Sequence, residues 1–366
     1  MKRVSRWLLG VASLLGSGMA AACAICAPSE LENTVVQRLL AADVAVIARA
    51  APDGSGYQAV QAIKGHQPKG VIKIQDAAAR VSAPVAGQTD LLVYSGGSQT
   101  WRKLGLLGSA RAQWARTMLE IPRAAAPSTP DPAWEKRLQF FAPDLESPEP
   151  LVAQAAYEEI SVAPYAAMRG LKARLDAQKL NRWLDNPALQ ARHPLYGLLL
   201  GMAASAAQIG ALEQRLAATS GLPGNTATLS ALLAATLEVR GNAGVDWIER
   251  NYLSGPSGDN RRSDAEIQAA LLALNVHGND GVRVDRDRVV QAYALFIQNH
   301  GAMAGLVASD LSAWGRWEFG PAYFALLQSQ ETQSFASRYA MVFYLMRSPR
   351  PEARTALEAL RASGAL

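Results

Sequence analysis

The hydrophobic and polar positions of this chain change their period about a third of the way along it. Between Glu30 and Ile121, short apolar runs with strand-like spacing are separated by segments rich in glycine and proline. The runs are Asp43–Ala50, Tyr57–Gly65, Val71–Gln75 and Leu91–Tyr94. They predict a small antiparallel sheet. Ala110–Glu120 is helical in pattern and is expected to close this first region.

Beyond the segment Arg123–Pro132, which has the composition of a linker, nearly every apolar run has helical spacing. In Leu151–Gly201 the run Leu195–Met202 is apolar on almost all sides, which predicts a buried helix. Ser147-Pro148 resembles a helix start, and Asp185-Asn186-Pro187 predicts a corner between helices. The block therefore has the pattern of a first helical unit.

The last helical unit has the plainest pattern. One apolar stripe contains Phe335, Tyr339, Val342, Phe343 and Met346, and a second, after the turn Ser348–Pro351, contains Ala353, Leu357 and Leu360. The helical units recur at intervals of about 30–45 residues, which is the range of helical solenoids. A single helical bundle is the structural alternative, because the interval is irregular.

Two resemblances add to this pattern. The helical units, especially Ser334–Leu360, resemble HEAT-like repeats, and Leu151–Gly201 looks like part of an uncharacterised exported family of that kind. Tyr57, Val60 and the run Ile63-Lys64-Gly65 resemble the exported bacterial netrin-like or metalloproteinase-inhibitor-like β-barrel domains. That family places cysteines at the mature N-terminus and pairs them with further cysteines, whereas this chain has only two.

Together these observations predict an α+β protein of two domains, a small antiparallel β-barrel-like domain followed by an all-α HEAT-like superhelix. The expected boundaries are a signal peptide at 1–22, a β-rich domain at 23–121, a linker at 122–134 and a helical-repeat domain at 135–366. A composition of 49% hydrophobic and 18% charged residues supplies enough apolar material for both cores.

The N-terminus predicts export. Basic Lys2, Arg3 and Arg6 precede an apolar run from Trp7 to Leu15, and small residues follow at Ala20–Ala22, which is the pattern of a secretory signal peptide. Removing it leaves 33 basic residues against 31 acidic ones, so the mature chain is nearly neutral and a nucleic-acid partner is not expected. We expect a periplasmic or outer-membrane-associated protein.

Cys23 and Cys26, the only two cysteines, lie directly after the expected cleavage region. Three interpretations stay open: a local disulfide or two plain thiols, lipidation of Cys23 that would tether the protein to a membrane, and redox or metal chemistry of the Cys-x-x-Cys pair. The inhibitor family, by resemblance, would use the free amine and carbonyl of an N-terminal cysteine to chelate a protease metal. Lipidation of Cys23 would abolish that mechanism.

No catalytic constellation is evident in the sequence, and His66, His193, His277 and His300 have no metal-ligand spacing. We therefore expect no enzyme activity, no cofactor and no metal. The function predicted is a non-enzymatic exported scaffold that binds a protein or peptide on a helical-repeat surface, and the alternative is an inhibitor-like or metal/redox module acting through the cysteines. The candidate partner-binding residues are Trp314, Arg316, Trp317 and Tyr323.

Overall fold

The computed structural model describes residues 25, 34–52, 55–74, 88–122, 131–222, 224–255, 262–329 and 334–365. The described part of the chain has an α+β fold and divides into two compact units between Met168 and Arg169. The predicted signal peptide and both cysteines lie outside the described residues. Among the residues that are described, no helix is long and apolar enough to cross a membrane.

The first unit contains one curled, fully antiparallel sheet, as the sequence predicted. Its strands are β1 (Val44–Ala50), β2 (Tyr57–Lys64), β3 (Val71–Ile72), β4 (Thr89–Ser95) and β5 (Thr100–Leu106). They lie in the order β3-β2-β1-β4-β5. Strand β3 is shorter than the predicted run Val71–Gln75, and β5 was not predicted.

The core of the sheet forms around β1 because this strand is apolar on both faces and lies in the middle. Every position of β1 except Arg49 is buried. On one face, Val44, Val46 and Ala48 pack with Tyr57 of β2 and with Leu92 of β4. The pairing of β1 with β2 is irregular after Ala45 and after Ile47, and such irregularities increase the twist of a sheet.

Among its described residues, the first unit also contains the α-helices α1 (Val35–Ala41), α2 (Ala112–Glu120), α3 (Pro132–Phe141), α4 (Pro150–Ser161) and α5 (Tyr165–Met168). Helix α2 confirms the helix predicted at Ala110–Glu120. Helix α4 begins at Pro150 with Glu149 as its N-cap residue, so the start predicted at Ser147-Pro148 was wrong by two residues. Proline favours the first helical turn, where its missing N–H has no partner to lose.

The unit boundary differs from the predicted one, because helices α3 to α5 belong with the sheet. Residues 123–130 of the predicted linker lie outside the described residues, and Pro132 already begins α3. Helix α4 is tied to the β-rich part by a hydrogen bond from the Val35 N–H to Glu158 Oε2 at 2.6 Å. Leu151 of α4 also lies directly over Gly105 of β5. The block Leu151–Gly201 is therefore divided between two units.

Glu158 and Glu159, adjacent residues of α4, are both buried. Glu158 accepts the hydrogen bond from Val35, and Glu159 forms an ion pair with Arg137 of α3, with an N–O distance of 2.5 Å. Buried carboxylates are tolerated where such partners satisfy them. The two glutamates therefore hold the first unit together.

The second unit is helical throughout its described residues. Its helices are α6 (Ala177–Leu184), α7 (His193–Ala203), α8 (Ile209–Thr219), α9 (Thr226–Arg240), α10 (Asn242–Ile248), α11 (Asp264–Asp280), α12 (Arg286–Asn299), α13 (Ala308–Ala313), α14 (Gly320–Gln328), α15 (Phe335–Arg347) and α16 (Pro351–Ala362). The corner predicted at Asp185-Asn186-Pro187 is confirmed, since Asn186 caps a 3-10 turn that begins at Pro187. The buried helix predicted at Leu195–Met202 is confirmed within α7.

The interior of this unit is built on α7, α9 and α11, with α9 packed between the other two. Small residues let these helices approach closely. At Gly201 of α7, an added Cβ would lie 2.5 Å from the Cα of Ala235 in α9, so only glycine fits. On the other side of α9, the Ser230 hydroxyl donates to the carbonyl of Ala269 in α11 at 3.0 Å.

Candidate binding surface on the C-terminal helices

Trp314, the first candidate binding residue, is half-buried and firmly held at the end of α13. Its ring stacks on Tyr293 with centroids 5.6 Å apart, and its Nε1 donates to Asn279 Oδ1 at 2.9 Å. The guanidinium of Arg286 lies over the ring at 5.6 Å. Gly278 makes room for it, because a Cβ there would lie 2.6 Å from the indole. Trp314 therefore anchors α13 to α11 and α12.

Arg316 follows Trp314 in the turn before α14, and acidic neighbours occupy its guanidinium. Its Nε lies 2.7 Å from Glu318 Oε1, and its Nη1 pairs with Asp287. Hydrogen bonding to Glu318 is the main reason that the pKa of Arg316 is raised, and Asp287 adds to it. Binding an acidic partner through Arg316 would require one of these ion pairs to open.

Trp317 faces a pocket. Its ring packs against Tyr344 at a centroid distance of 5.2 Å and is only half-buried. The pocket has a volume of about 370 Å³ and is mainly apolar, with Pro321 and Phe324 of α14 and the alanines of α16 in its wall. The lining residues are Trp317, Gly320, Pro321, Phe324, Ser348, Arg350, Glu352, Ala353, Thr355, Ala356 and Ala359.

Tyr323 is completely buried, which corrects its proposed place on a binding surface. Its ring meets Tyr344 edge-on at 4.9 Å, and its hydroxyl donates to the carbonyl of Ala304 at 3.3 Å. Burial raises the pKa of Tyr344 to about 12, so both hydroxyls of this pair stay neutral. The four candidates thus separate into Trp314 and Arg316 near α12, and Trp317 and Tyr323 around Tyr344.

The sequence predicted an apolar stripe on α15, but it did not predict that most of this stripe faces solvent. Phe335 is 85% exposed, Tyr339 62%, Met346 61% and Phe343 43%. The rings of Phe335, Tyr339 and Phe343 stack in succession, with centroids 6.4 and 6.2 Å apart. The buried face of α15 consists instead of Ser337, Met341, Tyr344 and Leu345. We call the exposed set Phe335, Tyr339, Phe343 and Met346 the aromatic stripe.

Basic residues accompany the aromatic stripe. Arg347 is exposed, and its guanidinium lies 5.8 Å from the centre of the Phe343 ring. Arg350 and Arg354 follow on the next turn and on α16, and both are exposed. The sequence from Ser334 to Pro351 contains no acidic residue. Arg347 therefore gives the stripe a positively charged edge, whereas Arg350 lines the pocket beside Trp317.

A second charged cluster lies inside the helical unit. Arg169 pairs with Glu238 at the end of α9, with an N–O distance of 2.6 Å, and with Asp280 at the end of α11. Burial opposes its charge, but the hydrogen bonds that Arg169 donates to Glu238 and Asp280 outweigh that effect and raise the pKa of Arg169. His277, fully buried beside this cluster, donates from Nε2 to the carbonyl of Ala234 at 2.8 Å, and burial lowers its pKa to about 4.

This charged cluster is structural, because Arg169 and Arg283 together balance the carboxylates of Glu238 and Asp280 at the ends of α9 and α11. Within the part of the chain that the structure describes, no group of three or more histidine, cysteine, aspartate or glutamate side chains is arranged to hold a metal ion. Cys23 and Cys26 lie outside that part, so the predictions of a disulfide, of lipidation and of redox or metal chemistry stay predictions.

Comparisons of the chain with models of known families, with curated proteins and with solved structures give no match. The features of the described residues that bear on function are the pocket at Trp317, the aromatic stripe and the packing of the helices.

Proposed function

We propose that this chain is an exported, non-enzymatic scaffold of the cell envelope that binds a protein or peptide through its C-terminal helices. The signal-peptide pattern of Lys2, Arg3, Trp7–Leu15 and Ala20–Ala22 supports export to the periplasm or outer membrane. A lipid on Cys23 would add a membrane tether. An extended helical surface suits binding, because stacked helices offer long faces to a partner.

The arrangement of the second unit supports a HEAT-like array within this proposal. Helices α7, α9 and α11 begin at His193, Thr226 and Asp264, intervals that fall within the range of about 30–45 residues for such repeats. Each packs on the next, while α8 and α10 pack against α9 and α12 packs against α11. A row of helices backed by a second set is the arrangement expected of stacked helical pairs.

The observation that carries the proposal is the pocket beside Trp317. The pocket is large enough for an apolar side chain of a partner and the residues next to it in that partner. Its aromatic and alanine wall offers few hydrogen-bonding groups. Arg350 and Glu352 are the charged residues of its lining and would orient the polar backbone of a peptide. Trp317 itself is held by Tyr344, so it is a preformed anchor for a partner.

Site-specific photocrosslinking in the native envelope tests the proposal. A benzophenone amino acid replaces Thr355, an exposed residue of the pocket lining, and crosslinked products are separated and identified by mass spectrometry. We expect one discrete protein or peptide product. The further substitution Ala359→Glu, which puts a carboxylate into the pocket, should remove this product.

The matched control is Ala362→Glu, which places the same charge on an exposed position of α16 outside the pocket lining. It should leave the crosslink unchanged. If Ala359→Glu and Ala362→Glu give the same product in the same yield, or if no product forms at Thr355, the pocket is not the binding site and the proposal fails.

A further inference from the structure

The aromatic stripe of α15 exposes four large apolar side chains to solvent. Its four side chains are spaced at 335, 339, 343 and 346, which puts them on one face of the helix. From their exposed fractions they present roughly 500 Å² in total, taking on the order of 200 Å² for each large side chain. This area falls within the roughly 300–600 Å² of the largest apolar patch on a typical monomer, and such a patch is often functional.

We infer that the aromatic stripe docks on a lipid bilayer that contains anionic phospholipids. Phe, Tyr and Met side chains enter the boundary between headgroups and acyl chains, and adjacent arginines pair with lipid phosphates. Arg347 is exposed beside the stripe, with its guanidinium 5.8 Å from the centre of the Phe343 ring, and helix α15 itself contains no carboxylate to repel a negative surface. Its apolar side chains thus suit the acyl-chain layer of a membrane surface, and its basic edge suits the anionic headgroup layer.

A bilayer fits this surface better than a second copy of the chain does. The stripe is a single line of side chains along one helix, and its exposed area is below the roughly 800 Å² per partner of a stable protein interface. A symmetric pair would also bring Arg347 of both copies to an interface to which α15 contributes no acidic residue. In a membrane, by contrast, each apolar side chain gains its transfer energy separately, so a narrow stripe is sufficient.

This inference is independent of the pocket and of any lipid on Cys23. The test uses the chain from residue 23 onward, without the predicted signal peptide, whose own apolar run would bind lipid. Cys23→Ser and Cys26→Ser remove every thiol. Cosedimentation is measured with vesicles of phosphatidylcholine containing 30% phosphatidylglycerol, and with vesicles of phosphatidylcholine alone.

We expect binding to the mixed vesicles that weakens as salt is added and that is much weaker with phosphatidylcholine alone. Phe335→Ser and Met346→Ser should each weaken it about tenfold, through lost apolar transfer. Arg347→Gln should weaken it about fivefold. The matched controls, Val282→Ser at an exposed valine and Arg102→Gln at an exposed arginine of β5, should have no effect.

Far-ultraviolet circular dichroism and light scattering accompany each variant. Because Phe335 and Met346 are exposed, we expect every variant to stay folded and monomeric. Absence of vesicle binding overturns the inference, as does equal binding by the stripe variants and by Val282→Ser. A parent chain that is dimeric, and that Phe335→Ser converts to a monomer, would assign the stripe to a second copy instead. Failure of the crosslink at Thr355 would leave this result untouched.

Discussion

Helices α9 and α15 belong to the same helical unit and use their apolar residues in opposite ways. In α9 every residue from Thr228 to Glu238 is buried, and most of these residues are either small (alanine, serine or threonine) or leucine. In α15 the larger aromatic side chains of Phe335 and Tyr339 are exposed, and only four of its residues are buried. Burial in this unit thus depends on how closely neighbouring helices approach one another. Small side chains allow the closest approach.

The interior and the aromatic stripe should therefore respond differently to substitution. In the interior, substitutions should lower the free energy of unfolding, because they disturb closely packed helices and buried ion pairs. On the stripe, changes should act on binding and leave stability nearly unaltered.

Arg169→Met should have the largest effect. It leaves Asp280 without its cation and Glu238 with only the longer contact to Arg283, and breaking a buried ion pair in this way costs about 4 kcal/mol. Urea unfolding followed by circular dichroism measures the loss. Arg174→Met, at an exposed position of the same 3-10 segment, is the matched control and should stay within about 0.5 kcal/mol of the parent. Equal losses would show that the cluster is not structural.

Gly201→Ala should cost about 3 kcal/mol, because the new methyl group would meet the backbone of Ala235 and push α7 away from α9. Gly210→Ala in α8 is its control, since nothing lies within 4 Å of that position. The control should stabilise the protein by about 0.5 kcal/mol through helix propensity. Thermal and urea unfolding of the two variants measure both effects, and the same sign for both would refute the close approach of α7 and α9.

His277→Gln should remove a pH dependence of stability. In the folded chain the pKa of His277 is about 4, below its ordinary value of 6.5, because burial disfavours the charged ring. The unfolded chain therefore binds a proton between pH 6.5 and pH 4 that the folded chain does not, and stability falls as the pH is lowered through that window. Between pH 7 and pH 5 this amounts to about 2 kcal/mol.

The measurement is the free energy of unfolding of parent and variant at pH 7 and pH 5. Glu238 and Asp280 favour a proton on His277 and Arg169 opposes it, so the ion cluster moderates the effect without reversing it. We expect the parent to lose about 2 kcal/mol more than His277→Gln does between the two values. An identical pH dependence for both chains would mean that His277 is accessible to water.

Much of the fold could be predicted from the spacing of apolar residues. Strands β1, β2 and β4 and helices α2 and α7 followed directly, because each buries a run long enough to show its period. Strand β5 did not, since Trp101, Arg102 and Lys103 mix aromatic and basic residues on an edge strand. The turn at Gly96-Gly97 after β4 was the available signal for it, and Trp101 does pack on Tyr94 across the hairpin, at 5.2 Å.

The unit boundary and the exposed face of α15 could not be read from local pattern, because long-range contacts decide both. Arg137 pairs with Glu159, and Glu158 binds the Val35 N–H across 123 residues of sequence. Likewise Tyr323 and Trp317 lie six residues apart, yet one is core and the other lines a pocket, since Tyr344 packs against both. Whether such a residue is buried or exposed is decided by the helices that pack around it.

Oxidation of the two methionines of α15 tests the orientation of the stripe most directly. Met341 is fully buried and Met346 is 61% exposed, although they lie on one helix and share the same chemistry. Hydroxyl-radical footprinting of the native chain, read by mass spectrometry, compares their rates within a single peptide. We predict that Met346 is oxidised at least tenfold faster than Met341, in keeping with their exposure. Equal rates, or faster oxidation of Met341, would contradict the exposed aromatic stripe.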